Sequence, residues 1–237
     1  MDMTKLADVM LRNGGHTGPE QGMCVMEAVA FLANEEFGDH PMCACPVVGA
    51  FLRKFNDRLP TDELRTELLM PLVSKLVGSK STPEVDAKRR WIMVDWTVRV
   101  CAPLWIDLAG MSAEAKQLRD LPEVTKETYS TAVATTRNVR TAAYAAYAAY
   151  AASADASASA YAAAYAAYAA YAASAYAAYA AADYAADYAA YAADYAAYAA
   201  DAYAADYAAA GPMLAQTAVV ARKSAIEMIE KCLAVTE

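Results

Sequence analysis

Ala142-Ala-Tyr144-Ala-Ala-Tyr147-Ala-Ala-Tyr150-Ala-Ala-Ser153 opens a segment, Ala142 to Ala210, written in four letters only: Ala, Tyr, Ser and Asp. Alanine is the strongest helix former, and no Gly or Pro interrupts these 69 residues. As one continuous α-helix the segment would run about 100 Å, at ~1.5 Å per residue. The tyrosines test the geometry. Tyr144, Tyr147 and Tyr150 recur in triplets, as do Tyr165, Tyr168 and Tyr171, whereas Tyr184, Tyr188, Tyr191, Tyr195 and Tyr198 step by four and three. The second pattern is the seam of a left-handed α-helical packing. The triplets alone would also suit a 3₁₀-helix, whose poorer hydrogen bonds seldom sustain long runs. The expectation is an α-helix, with a break at Ser153-Ala-Asp155-Ala-Ser157-Ala-Ser159, where Ser and Asp compete for backbone hydrogen bonds. A second break is expected near Ala180 to Asp183.

Outward from the repeat, the rest of the chain also reads as helix. The repeat holds 16 of the 17 tyrosines and six aspartates, most of the net charge of −8 on 237 residues. Before it, Thr82-Pro83-Glu84 combines a cap, a proline at the first helical position and an acid in the first turn. Pro46 suits the first turn of a helix through Phe51 and Phe55, Thr61 caps the next, which Pro71 should kink, and Ser112 opens another. Met23 to Phe37 has Val25, Val29 and Leu32 at helical spacing, with Gly38 as its stop. Lys5 to Arg12 reads as a short helix. The helix carrying Trp91, Val94, Val98 and Cys101 should stop before Pro103. After Gly211-Pro212, a closing amphipathic helix should turn Val219, Ile226, Ile229 and Leu233 inward and dock on the N-terminal module. The expected architecture is all-α: a helical module over residues 1–121, Ala/Tyr-repeat helices over 122–210 forming an arm or layer, and a C-terminal helix over 211–237.

Charge and length narrow the partners. An excess of acids argues against a nucleic-acid backbone, which needs clustered Lys and Arg. Tyr, Ser and Asp interrupt the Ala runs too often for a membrane span. Five cysteines without a secretory signal pattern read as reduced thiols or metal ligands, placing the chain in the cytoplasm. Tyr on an Ala scaffold gives a broad amphipathic contact surface, so homo-oligomerisation or a protein partner is expected through the Tyr-lined helices. Asp187, Asp194 and Asp201 recur every seven residues and would oppose a parallel in-register pairing.

One constellation carries possible chemistry. Cys24-x-x-Glu27 places two side chains on one helix face, and twelve residues intervene before His40-x-x-Cys43. Two thiolates, an imidazole and a carboxylate could hold zinc or iron tetrahedrally, with Asp39 or His16 as a supporting or substitute ligand. The alternatives are core cysteines with a surface Glu and a capping His, or a thiol nucleophile, Cys24 or Cys43, with His40 as base. A helix-interior Cys24 would lack the dipole that activates such a thiol. The leading functional expectation is a non-catalytic assembly or interaction protein; the alternative is a metal-dependent or thiol enzyme centred on Cys24, Glu27, His40 and Cys43.

Gly22-Met23-Cys24-Val25-Met26-Glu27-Ala28 and Asp39-His40-Pro41-x-Cys43-x-x-Pro46 resemble a segment of uncharacterised bacterial, mainly actinobacterial, and phage proteins. The similarity extends through Leu76-Val77-Gly78 to the tryptophan region near Gly110. It implies a shared helical module, some relatives adding an Ala-rich C-terminal tract, and Ser rather than Cys at the position of Cys45. It implies no mechanism.

Overall fold

A computed structural model describes residues 2–152, 163, 166–167, 170–171, 173 and 211–236. Among these residues the fold is all-α, with no strand beyond one parallel bridge between Leu11 and Met23. The helices are α1 (Val25–Ala33), α2 (Pro46–Arg58), α3 (Asp62–Leu76), α4 (Pro83–Trp96), α5 (Ala102–Leu108), α6 (Ser112–Arg119), α7 (Tyr129–Ala152) and α8 (Gly211–Ala234). They fall into two compact units, Met1–Arg89 with Ile229–Glu237, and Arg90–Met228. The boundary expected at Leu121 lies inside the second.

In the first unit α1 packs on α2 and α3, and Val25, Val29 and Leu32 of α1 are buried, as are Phe51, Leu52 and Leu72. Thr61 accepts from the Leu64 amide at 3.2 Å, and Asp62 and Glu63 follow in the first turn of α3. Pro71 does not split α3. It sits on the exposed face, as does Glu67, whose carbonyl the missing N–H would have met, so water can satisfy that group. The expected helix from Lys5 to Arg12 is replaced by one 3₁₀ turn, Met3–Leu6, after which the chain runs extended into the bridge. α1 is shorter than expected at both ends. Asn34, not Gly38, stops it, in a left-handed conformation (φ 56°) that Asn tolerates better than most residues. The last turn of α8 belongs here, held by Arg89, whose Nε donates to Cys232 O at 3.0 Å and whose Nη2 donates to Val235 O at 2.9 Å.

In the second unit the chain stays helical through the expected stop before Pro103. A π turn, Thr97–Cys101, widens the helix so that the Ala102 amide reaches the Thr97 carbonyl, and Pro103, which has no N–H to give, falls in the first turn of α5. α5 and α6 pack together, and α6 packs on α7. Trp96 and Trp105 are core residues, and Trp96 Nε1 donates to Ser224 Oγ of α8 at 3.0 Å. Asp95 ties the loop before α7 by accepting from the Val124 amide at 2.8 Å. The buried face of α8 is made of Ala218, Ala221, Ala225, Met228, Ile229 and Cys232. Val219, expected inward, is 61% exposed, because the seam follows the small residues at spacings of three and four.

Tyr144 to Tyr150 lie in α7, so this triplet run is α-helical. On an α-helix triplets wrap around the axis, and α7 resolves this by burying Ala143 while Tyr144 and Tyr147 remain 42% and 44% exposed. Ala163, Ala166, Ala167, Ala170 and Ala173 are also buried, and Tyr171 is 51% exposed, with the Arg140 guanidinium 5.8 Å from its ring centre. The expected breaks at Ser153–Ser159 and Ala180–Asp183, and the 4,3 tyrosine seam from Tyr184 to Tyr198, lie outside the described residues.

Candidate functional site

The four residues expected as ligands divide into separate environments. Cys24 is the N-cap of α1, and its Sγ accepts from the Glu27 amide at 3.4 Å. Glu27 Oε2 accepts in return from the Cys24 amide at 2.7 Å. This reciprocal pair is a capping box, with cysteine where serine or threonine is usual. Both orphan amides of the first turn are thereby satisfied away from water.

Glu27 does more than cap. It is 1% exposed, and its Oε1 accepts from the His16 amide at 2.7 Å while its Oε2 lies 2.7 Å from His16 Nδ1. Three donors thus converge on one buried carboxylate, the arrangement that offsets the desolvation cost of such a group. His16, whose side chain is 11% exposed, closes the loop Asn13–Gly22 onto the start of α1. Asn56 of α2 completes the enclosure. Its Oδ1 accepts from the Val25 amide at 3.1 Å, and its Nδ2 donates to Arg12 O at 2.9 Å.

His40 and Cys43 have other neighbours, Asp39 and Glu35. His40 is an exposed residue with its Nδ1 against Asp39 Oδ1. Cys43 is half-buried, its thiol pushed up first by burial and also by the nearby Glu35 carboxylate. Cys24 is thus hydrogen-bonded to Glu27, and His40 to Asp39. Among the described residues no group of three or more His, Cys, Asp or Glu side chains is placed to hold a metal ion. Glu27 engages both oxygens with His16 and the Cys24 amide, while Cys24 Sγ accepts from the Glu27 amide.

Cys24 stands at the start of α1, not in the helix interior where it was expected. Cys24 does occupy a helix N-terminus, but burial pushes its thiol up to about 12, so the nucleophilic thiolate is scarce near neutrality. Cys101 and Cys232 are likewise pushed up to about 12 by burial. Cys45 is buried beside Asp86, its Sγ donating to Oδ1 at 3.3 Å. His16 with Glu27 has the form of an oriented imidazole, and its partners were not legible from spacing. The Cys-x-x-Glu pattern before an apolar run was the available signal, since it is also the capping-box pattern.

The other chemically distinct feature of the first unit is an open cleft of about 220 Å³ between the Pro41–Pro46 loop, α1 and α2. Its apolar wall includes Met26, Pro41 and Met42, and its polar lining is His40, Arg53 and Lys80. Gly49 lets α2 approach α1 here: a Cβ at Gly49 would sit 3.1 Å from the Met26 methyl carbon.

No helix among the described residues is long and apolar enough to cross a membrane. Comparisons with family models, curated proteins and solved structures return no match, so the fold and the sites stand on their own geometry.

Proposed function

We propose that this chain is a non-catalytic helical assembly protein of a reducing, cytoplasmic compartment, whose outward tyrosines on Ala-rich helices bind a second copy of the chain. The observation that carries this reading is the inversion of the usual burial order in the repeat: small Ala143, Ala166 and Ala170 are buried, while Tyr144, Tyr147 and Tyr171 are 42%, 44% and 51% exposed. A tyrosine ring left in water forfeits much of its burial free energy, and tyrosine is enriched where two proteins meet. The capping role of Cys24 and Glu27 supports a structural rather than catalytic use of that constellation. All five cysteines are free, which suits a reducing compartment.

The test is sedimentation equilibrium of the full chain beside a variant with Tyr144, Tyr147 and Tyr171 all changed to Ala. The expected result is a concentration-dependent oligomer that becomes monomeric in the variant with far-UV helicity retained. A wild-type chain that stays monomeric up to several hundred micromolar overturns the reading. So does a variant that assembles as the wild type does.

A further inference from the structure

The cleft at the start of α2 combines features that the assembly reading does not use. Its lining holds Arg53 and Lys80, with His40 at the rim, and no Asp or Glu, in a chain whose net charge is −8. Among the described residues Lys80 Nζ has no carboxylate within ion-pair distance, and Arg53 makes one hydrogen bond, from Nη1 to the Asp39 carbonyl at 3.3 Å. The Asp39 carboxylate is engaged by His40 instead. The nearest acids stand behind the lining and are turned to other partners: Asp39 to His40, Glu35 to the Met42 amide and Asp86 to Cys45 Sγ. Half-buried Arg53 and exposed Lys80 give this concavity a local positive potential, which attracts an anion.

The rest of the wall is of opposite character. Met26 is 1% exposed overall and presents its flexible thioether to the cleft, with Pro41 and Pro46 as rigid apolar neighbours. Met42 at the rim is 70% exposed, a large apolar side chain in water beside the opening. Cys45 is the N-cap of α2 and Pro46 its first residue, where the helix dipole adds partial positive charge of the same sign as Arg53 and Lys80. At about 220 Å³ the cleft is smaller than the roughly 300–1,000 Å³ of pockets for drug-sized ligands, a size suited to a small molecule.

We infer that this cleft is a binding site for a small amphipathic organic acid, its carboxylate held between Arg53 and Lys80 and its short apolar chain laid against Met26, Pro41 and Met42. Arg53 supplies the planar fork suited to a carboxylate, and Lys80 supplies a mobile point charge that closes over it. The apolar wall requires a chain of a few carbons, so an anion without one fills only part of the site.

The experiment is an amide chemical-shift titration of the isotopically labelled full chain with three probes: hexanoate, hexan-1-ol and inorganic phosphate. Hexanoate is expected to shift the amides of Ala44, Gly49 and Lys80 saturably, with a Kd of about 0.1–1 mM for a ligand of its size. Hexan-1-ol and phosphate should each bind at least tenfold more weakly. Arg53→Gln and Lys80→Gln should each raise the hexanoate Kd about five- to tenfold, and Arg53→Lys should recover part of the loss. Both positions reach the surface, so an unchanged melting temperature separates lost binding from lost folding. The inference is overturned if hexanoate gives no saturable shift at these amides. It is equally overturned if hexan-1-ol or phosphate binds as tightly as hexanoate, or if both Gln variants keep the wild-type Kd.

Discussion

The amide of Glu27 donates to Cys24 Sγ at 3.4 Å, and the amide of Cys24 donates back to Glu27 Oε2 at 2.7 Å. With His16 on the same carboxylate, the first turn of α1 and the loop before it close as one unit around a single buried charge.

Removing that charge should therefore cost more than removing the thiol. Glu27→Gln places an amide NH₂ among three donors and should destabilise the protein by about 2–4 kcal/mol. Cys24→Ser keeps a capping acceptor and should stay within about 1 kcal/mol of wild type. Urea unfolding of the two variants measures both. A Cys24→Ser loss as large as that of Glu27→Gln would mean that the sulfur does more than cap.

Arg89 is 3% exposed and donates to Ser79 O at 2.7 Å as well as to Cys232 O and Val235 O. Arg89→Ala leaves three carbonyls and the Asp86 carboxylate short of a donor, and should cost about 3 kcal/mol or more. Amide hydrogen exchange should accelerate selectively over Ile229–Val235. Uniform acceleration through α1 and α3 would instead mean that the C-terminal turn is not a separately releasable segment.

Thiol reactivity should sort by burial. Cys43 alone of the five cysteines is not fully buried, so a chromogenic disulfide reagent at pH 8 should titrate one thiol quickly in the native protein and five in denaturant. Mass mapping should place the fast adduct on Cys43. Fast labelling of Cys24 would contradict its burial in the cap.

Stability should decline in alkali for the same reason. Cys24, Cys101 and Cys232 have ordinary values of 9.0 and are pushed up to about 12 when folded. Between those values the unfolded chain has released thiol protons that the folded chain keeps, so unfolding releases protons and stability falls as pH rises. Below pH 9 this contribution is fully present. Urea midpoints at pH 7.5, 9 and 10.5 should drop progressively, and Cys101→Ala, although less stable at pH 7.5, should show a shallower decline. An equal decline in the variant would remove Cys101 from the account.

Self-association should strengthen with salt. Six aspartates and no basic residue lie between Ala142 and Ala210, so two copies repel before their tyrosines meet. Raising ionic strength from about 0.01 M to 1 M shortens the screening length from about 30 Å to about 3 Å and should tighten assembly. Sedimentation at the two salt concentrations decides it. Weaker assembly at high salt would point to opposite charges pairing across the contact instead.

The helix starts were legible where one or two residues decide them. Pro46, Thr61, Thr82-Pro83 and Ser112 act through the local geometry of a first turn, and each lies at or beside a helix start. What failed depends on more than local spacing. Asn34 competes with Gly38 only once tertiary packing decides where α1 leaves the core. The π turn before Pro103 exchanges a regular helix for continuity, which no periodicity announces. Cys24 and Glu27 were recognised as a pair, but the i, i+3 spacing of a ligand pair is also that of a capping box. The buried partner, His16, lies across a Gly-rich loop that gives no spacing to read. On α8 bulk does not mark the inward face: Ile229 is buried as its spacing predicts, but Ala218, Ala221 and Ala225 permit the close approach that Val219 would prevent.

The return of Ile229–Glu237 to the unit formed by Met1–Arg89 has a consequence for synthesis. A ribosome delivers α1 to α3 first, yet the carbonyls of Cys232 and Val235 that Arg89 requires arrive only after every residue from 90 to 228 has been made. During that interval a nascent Arg89 lacks two of its native acceptors and the Ala–Tyr segment emerges beside an uncompleted neighbour. Until that short terminal turn closes, the first unit is an incomplete fold of the kind that holding chaperones capture.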